Sequence, residues 1–322
     1  MNILDGSGTG VTTAAGTTGV VVRRVEAVVN AASGSVGAGA AEQLEQIVSR
    51  YCVGVRVANA APSEIAAAVR AAVDAKPDLV VILAGDGTAG LAAGLAGPDG
   101  PLIAPLPGGT MNMLPHALYG VVKWQDALVA ALSQGVVRPV SGGEIGGKAF
   151  YVAAILGSPA LWANAREAIR CRKFRQAWIS ARIAMSRSFS HRLHFTLGDG
   201  MTDMARALTL MCPMVSAGPV EDGALEAAAL DPKDVAEVVR LGFNAVTGDW
   251  RADPSVTTTL CRAGMAWAKG RIPAILDGEP VRLEHRVNFG FRPIAFRALA
   301  PAPMSLLTST TDRPAHTVAL KR

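Results

Sequence analysis

The chain has 322 residues, half of them hydrophobic and 18% charged, with a net charge of +5. That length can bury one large core or two ordinary ones, two being expected here, and the apolar content excludes disorder over most of the chain. Cys52, Cys171, Cys212 and Cys261 are widely spaced with no Cys-x-x-Cys pair, which argues against a zinc site or a disulfide framework and for reduced core residues in a cytosolic protein. The region from Gly87 to Val122 is too interrupted by Asp99, Gly and Pro to read as a membrane span, and the first residues lack the basic start and apolar core of a signal peptide.

Residues 1–22 read as a disordered tail, in which Gly6-Ser7-Gly8-Thr9-Gly10 is a flexible run and not a phosphate loop, since no strand precedes it. From there to residue 135 strands and helices alternate. Strands are expected at Val25–Val29, Cys52–Ala58, Leu79–Leu83 and Leu102–Pro105. Helices are expected near Ala40–Arg50, from Pro62 through Val73, after Gly87, after Asn112 and at Lys123–Leu132. Such alternation predicts a parallel, doubly wound sheet. After about Gly135 the rhythm changes. Val136–Ile145 and Ala149–Leu156 read as a strand pair around Gly146-Gly147. Helical sequence follows over Leu161–Ser188, then strands near His191–Leu197 and Ala205–Met211, a helix over Asp234–Ala245 and further strands from Thr257 to Leu299. The expected layout is thus an α/β domain at 23–135, an antiparallel β domain at 136–300 with a basic helical insertion at 160–190, and a loose tail at 301–322. His191 and His194 lack a third ligand, so a metal role is not expected of them.

The chemistry concentrates at the strand ends. Leu79–Leu83 is an apolar run that stops at Gly85-Asp86-Gly87-Thr88. A short run of this kind fits a strand buried on both faces, and ligands of open α/β sheets bind at the carboxyl ends of the strands. A carboxylate, backbone N–H groups and a threonine hydroxyl together suit a nucleotide phosphate and its magnesium ion. The alternative for the motif taken alone is a plain Asp-Gly turn closing a strand, the less favoured of the two readings. Two similar glycine-containing turns end other strands: Asn30-Ala31-Ala32-Ser33-Gly34 and Pro107-Gly108-Gly109-Thr110-Met111-Asn112. Late in the chain Ile275-Leu276 runs into Asp277-Gly278-Glu279, which by itself reads as a hairpin turn carrying an exposed acid.

In order and spacing these pieces, with Asp222-Gly223-Ala224-Leu225, resemble the diacylglycerol kinase catalytic-domain family, which includes sphingosine kinases and bacterial lipid kinases. The resemblance covers roughly residues 24–300. It implies an α/β nucleotide domain related to NAD kinases and phosphofructokinases, a β-sandwich domain, and ATP with Mg2+ in the cleft between them. On the matching positions it implies that Asn30, Ser33 and Gly34 approach the nucleotide. Gly85, Asp86, Gly87 and Thr88 would line the phosphate site beside Gly109, Thr110 and Asn112. Asp86 and Asp222 match magnesium positions, Glu279 matches the general base, and Asp277 would orient that base or contact the metal. Three departures stand out. Ala84 replaces the first loop glycine, Ala31 replaces a proline, and Met113 replaces the acid that joins a water-bridged magnesium network in many relatives.

Between Arg166 and Arg192 eight Arg and Lys residues face Glu167 alone, with Ile169, Phe174, Trp178, Ile179 and Ile183 at roughly helical spacing. This basic amphipathic segment suits an anionic membrane surface, or equally a solvated helix whose stripe packs on the sandwich. No motif for nucleic acid accompanies the charge. The expectation is an ATP-dependent lipid kinase, cytoplasmic and peripheral to the inner face of the membrane, with edge strands offering a route to a homodimer. The alternatives are an NAD-kinase-like or other small-molecule kinase, and a non-catalytic nucleotide- or lipid-binding relative.

Overall fold

The computed structural model describes residues 20–34, 36–52, 54–157, 192–216, 223–234, 237, 240 and 250–302. In the first half the elements run β1 (Arg24–Val29), α1 (Ala40–Val48), β2 (Gly54–Asn59), α2 (Ile65–Asp74), β3 (Leu79–Ala84), α3 (Asp86–Ala96), β4 (Leu102–Pro107), α4 (Met113–Tyr119) and α5 (Trp124–Gln134). They continue as β5 (Gly135–Ile145), β6 (Lys148–Phe150), β7 (Ala153–Gly157), β8 (Leu193–Leu197), β9 (Asp203–Ala205), β10 (Ala207–Met211) and β11 (Leu225–Leu230). The last are β12 (Val256–Cys261), β13 (Ala263–Trp267), β14 (Ile272–Leu276), β15 (Glu279–Leu283) and β16 (Arg286–Pro301).

Strands β2-β1-β3-β4 pair in parallel, and alternate residues of each central strand feed two different cores. Leu79, Val81 and Leu83 of β3 pack toward α1 and α5, whereas Val80, Ile82 and Ala84 pack toward α2, α3 and α4. All six residues of β3 and all six of β4 are buried, which is why both read as unbroken apolar runs.

The second half is a sandwich. One layer is β12-β11-β10-β7-β14-β15, and the other is the β16-β13-β8-β9 end of a ten-stranded sheet, with β5 and β6 alongside. Between them lie Ile145, Phe150, Leu156, Phe195, Leu210, Phe289 and their neighbours. The two halves share one sheet. β16 pairs with β13 at its start and with β5 along most of its length, and it meets β4 in parallel at Ala298↔Ile103. The chain therefore returns to the α/β half in its last described strand.

Two strands expected to be continuous are each split. Ala149–Leu156 is β6 in one sheet and β7 in the other, broken at Tyr151-Val152, because the N–H groups of Tyr151, Val152 and Ala153 are taken by the Asp277 carboxylate. Ala205–Met211 likewise changes sheets at Arg206, β9 pairing with β8 and β10 with β7 and β11. Of the expected helix at Asp234–Ala245 only residues 234, 237 and 240 are described, and the tails at 1–19 and 303–322 lie outside the described residues. Val20 and Val22, assigned to the tail, pack against the core beneath α1 and α5.

Candidate active site

The three turns after β1, β3 and β4 meet at one end of the parallel sheet. A Cβ on Gly109 would stand 2.7 Å from Gly85 Cα, and one on Gly108 would stand 2.8 Å from Ala84 N and 2.9 Å from Val36 Cγ2. Only glycine permits that approach of backbone to backbone. Thr110 Oγ1 lies 3.2 Å from where a Cβ on Gly34 would be, and Ser33 Oγ lies 3.8 Å from the same point on Gly85. Asn30 closes its own turn by accepting the Ala32 N–H at 3.1 Å. Asn112 sits in the left-handed region (φ 52°) and is buried. It accepts the Gly109 N–H at 2.7 Å and donates to the Gly109 carbonyl at 3.1 Å. Asn112 is a brace for its loop.

Asp86 is the first residue of α3, and Gly85 precedes it in extended conformation. Thr88 and Ala89 donate to the Gly85 carbonyl. Helix geometry leaves the N–H groups of Asp86 and Gly87 without an acceptor inside the helix, so positive backbone ends face the cleft. The Asp86 carboxylate reaches across to the start of α4 and accepts the Leu114 N–H at 3.3 Å. Burial pushes its carboxyl above the ordinary value; the N–H groups of Leu114, Asn112 and Met113 pull it down, and the charge of Glu279 pushes it up.

Glu279 arrives from the sandwich half. It opens β15 directly after the β14–β15 turn and is exposed. Its Cγ and Oε1 each lie 3.9 Å from where a Cβ on Gly87 would stand, so it overhangs the N-terminus of α3. Glycine at 87 keeps that space open. Gly278 has φ 88°, and a Cβ there would stand 3.4 Å from Met113 Sδ and 3.9 Å from Met111 Cγ. Met113 thus fills, with a thioether, the seam between the α4 loop and the late turn.

Asp277 has a different task. It is left-handed (φ 46°), and its carboxylate accepts N–H groups from Tyr151 at 2.7 Å, Val152 at 2.8 Å and Ala153 at 3.0 Å. Its own N–H returns to the Ala153 carbonyl at 2.9 Å. Burial raises its pKa to about 6 against those three donors, and the Asp86 charge adds to the rise. Both of its carboxylate oxygens are occupied by backbone.

Asp86, Gly87, Thr88, Gly109, Thr110 and Glu279 are thus gathered at one place. Ala84, the departure from the first loop glycine, is the last residue of β3 and buried in strand conformation, a position that needs no glycine freedom. Asp222 lies outside the described residues, as does Arg166–Arg192 except for Arg192, which pairs with Asp231 at 3.5 Å. His194 stacks on Trp267 with ring centroids 5.7 Å apart. Tyr151 and the backbone of α4 have no signal in the motifs: one is a lone aromatic, and the other acts through main-chain atoms. Among the described residues no three acidic, His or Cys side chains cluster as a ready-made metal cage. No described helix is long and apolar enough to cross a membrane.

Residues 24–145 match the model of the diacylglycerol kinase catalytic domain. The match runs from β1 to the end of β5 and contains all three converging turns, while the Asp277–Glu279 turn lies beyond it. The resemblance to the diacylglycerol kinase family drawn from the motifs is borne out. A crystal structure of a putative diacylglycerol kinase from Bacillus anthracis str. Sterne is similar at 16% identity and a TM-score of 0.66, covering 88% of this chain and 98% of that one. Another diacylglycerol kinase structure from the same organism is similar at 13% identity and a TM-score of 0.62, with the same coverage. At these identities the likeness is one of fold. No curated protein matches the sequence.

Proposed function

We propose that the protein is an ATP-dependent lipid kinase that transfers the γ-phosphate to a hydroxyl of a membrane lipid such as diacylglycerol or a sphingoid lipid. The observation that carries this reading is the approach of the Glu279 carboxylate to Gly87 beside Asp86. A proton acceptor from one half thereby overhangs a helix N-terminus of the other, across from converging loops whose closest backbone approaches only glycine allows.

The donor set fits magnesium. Asp86 and Glu279 are hard oxygen donors, and their mutual repulsion, which helps raise Asp86, is what a divalent cation relieves. Asp86 would hold Mg2+ directly or through water, with phosphate oxygens and water completing the shell, and the ion would neutralise phosphate charge. Asp222 matches a second such position. Phosphoryl transfer asks the protein mainly for positioning and charge stabilisation. The free N–H groups at the start of α3 suit the phosphate oxygens. Glu279 accepts the proton of the lipid hydroxyl as the new O–P bond forms and the bond to the β-phosphate oxygen breaks, leaving ADP. The basic segment Arg166–Arg192 would hold the enzyme at an anionic membrane surface, where its substrate resides.

The test is transfer of labelled γ-phosphate from Mg-ATP to an extracted lipid mixture. Wild type should yield a labelled lipid, Asp86→Asn none, and Glu279→Gln should lower kcat by about a hundredfold or more with ATP binding retained. Absence of labelled lipid from a folded, ATP-binding wild type overturns the lipid reading. Wild-type kcat in Glu279→Gln removes that residue as the base.

A further inference from the structure

Residues 151–153 are where the chain leaves the ten-stranded sheet for the six-stranded one, and both halves of the site are tied to them. From one side, Tyr151 lies along α3. A Cβ on Gly90 would stand 3.7 Å from Tyr151 Cε2, and one on Gly94 would stand 3.3 Å from its hydroxyl oxygen. The hydroxyl donates to the Gly90 carbonyl at 3.4 Å, and the ring meets Phe296 edge-on at 5.3 Å. The glycines of α3 leave a groove that this one buried ring occupies. From the other side, the Asp277 carboxylate takes the N–H groups of Tyr151, Val152 and Ala153. Glu279 follows Asp277 by two residues, and Asp86 precedes Gly90 by about one helical turn. Every contact in that chain is protein to protein.

We propose that Asp277 is a positioning residue: by anchoring the β14–β15 turn to residues 151–153, which Tyr151 seats against α3, it sets Glu279 over the N-terminus of α3. This rests on reading Glu279 as the base. Asparagine at 277 keeps the size of the side chain but presents an NH2 group to at least one of the three donors, so the triple anchor cannot form. A displacement on the order of 1 Å at a reacting group costs about a hundredfold in rate.

Two measurements test it. In the first, cysteines replace Gly87 and Glu279, the described native cysteines being buried, and disulfide formation is timed under mild oxidation. The pair should close readily in the otherwise native chain and at least about tenfold more slowly with Asp277→Asn, given the geometry a disulfide demands. In the second, Asp277→Asn alone should lower kcat about a hundredfold with KM for ATP within about twofold. Unchanged cross-linking in a variant that melts like wild type overturns the proposal, as does a wild-type kcat in that variant. If Asp277→Asn does not fold, Tyr151→Leu, which leaves the carboxylate bonds in place, is read in the same way. If no lipid is phosphorylated by wild type, the kinase reading fails while the cross-linking still decides the role of Asp277.

Discussion

Gly109→Ala tests whether the three turns are packed as tightly as the geometry states. The added methyl would stand 2.7 Å from Gly85 Cα and 3.2 Å from Asn112 Oδ1. Carbon atoms in contact prefer roughly 3.5–4.0 Å, so the shortfall against Gly85 is about 1 Å. The opposing atom is backbone and cannot rotate aside, so the two turns must part by about that amount. Overpacking of this kind costs about 1–3 kcal/mol, and stretching the 2.7 Å bond from Gly109 N–H to Asn112 adds about 1 kcal/mol. A total near 3 kcal/mol predicts a fall in Tm of about 6–12 °C. Because the parted turns are those proposed to line the phosphates, Mg-ATP affinity should fall as well. Thermal unfolding and calorimetric titration with Mg-ATP read both effects. Gly270→Ala is the control, since a Cβ there meets nothing within 4 Å and should change stability by less than about 0.5 kcal/mol. Wild-type melting and ATP affinity in Gly109→Ala would refute the packing argument.

Ala84→Gly, which restores the glycine common in the resembling family, should destabilise by about 0.5–1 kcal/mol and raise no activity, because the residue is buried in β3; a gain in kcat would show that the loop needs freedom there. Asp277 gives a signed pH dependence. Its folded pKa of about 6 stands above the ordinary value near 3.9, so its contribution to stability is full below about pH 4 and is lost as the pH rises toward 6, about 3 kcal/mol in all. The unfolding free energy of wild type relative to Asp277→Asn should fall over that window, and a flat difference refutes the burial assigned to it. Replacing Arg170, Arg172, Lys173 and Arg175 with Gln should weaken co-sedimentation with anionic vesicles at low salt; unchanged binding rejects the membrane role of that segment.

The local half of this molecule was legible in the chain. Leu79–Ala84 is apolar at every position because both faces of β3 are covered, and no amphipathic alternative competes with that pattern. Gly108 and Gly109 mark where β4 ends and backbones touch, since a Cβ at either would stand under 3 Å from the backbone at Ala84 or Gly85. The Asp277–Glu279 hairpin turn was equally visible, its left-handed Asp277 and Gly278 being of the residue types such turns favour. Spacing could not reveal which sheet each strand joins. Period-two patterning is the same for β6 and β7 as for one longer strand, and only Asp277, far away in the chain, breaks it by taking three N–H groups. The return of β16 to β4 is a pairing between distant segments, as is the seat of Tyr151 on α3. Asp86 and Glu279 become neighbours for the same reason. Residue type and spacing determine which groups stand at the ends of strands and helices; which of those ends face one another is set by the packing of two layers around shared cores, and that was decided in the tertiary structure alone.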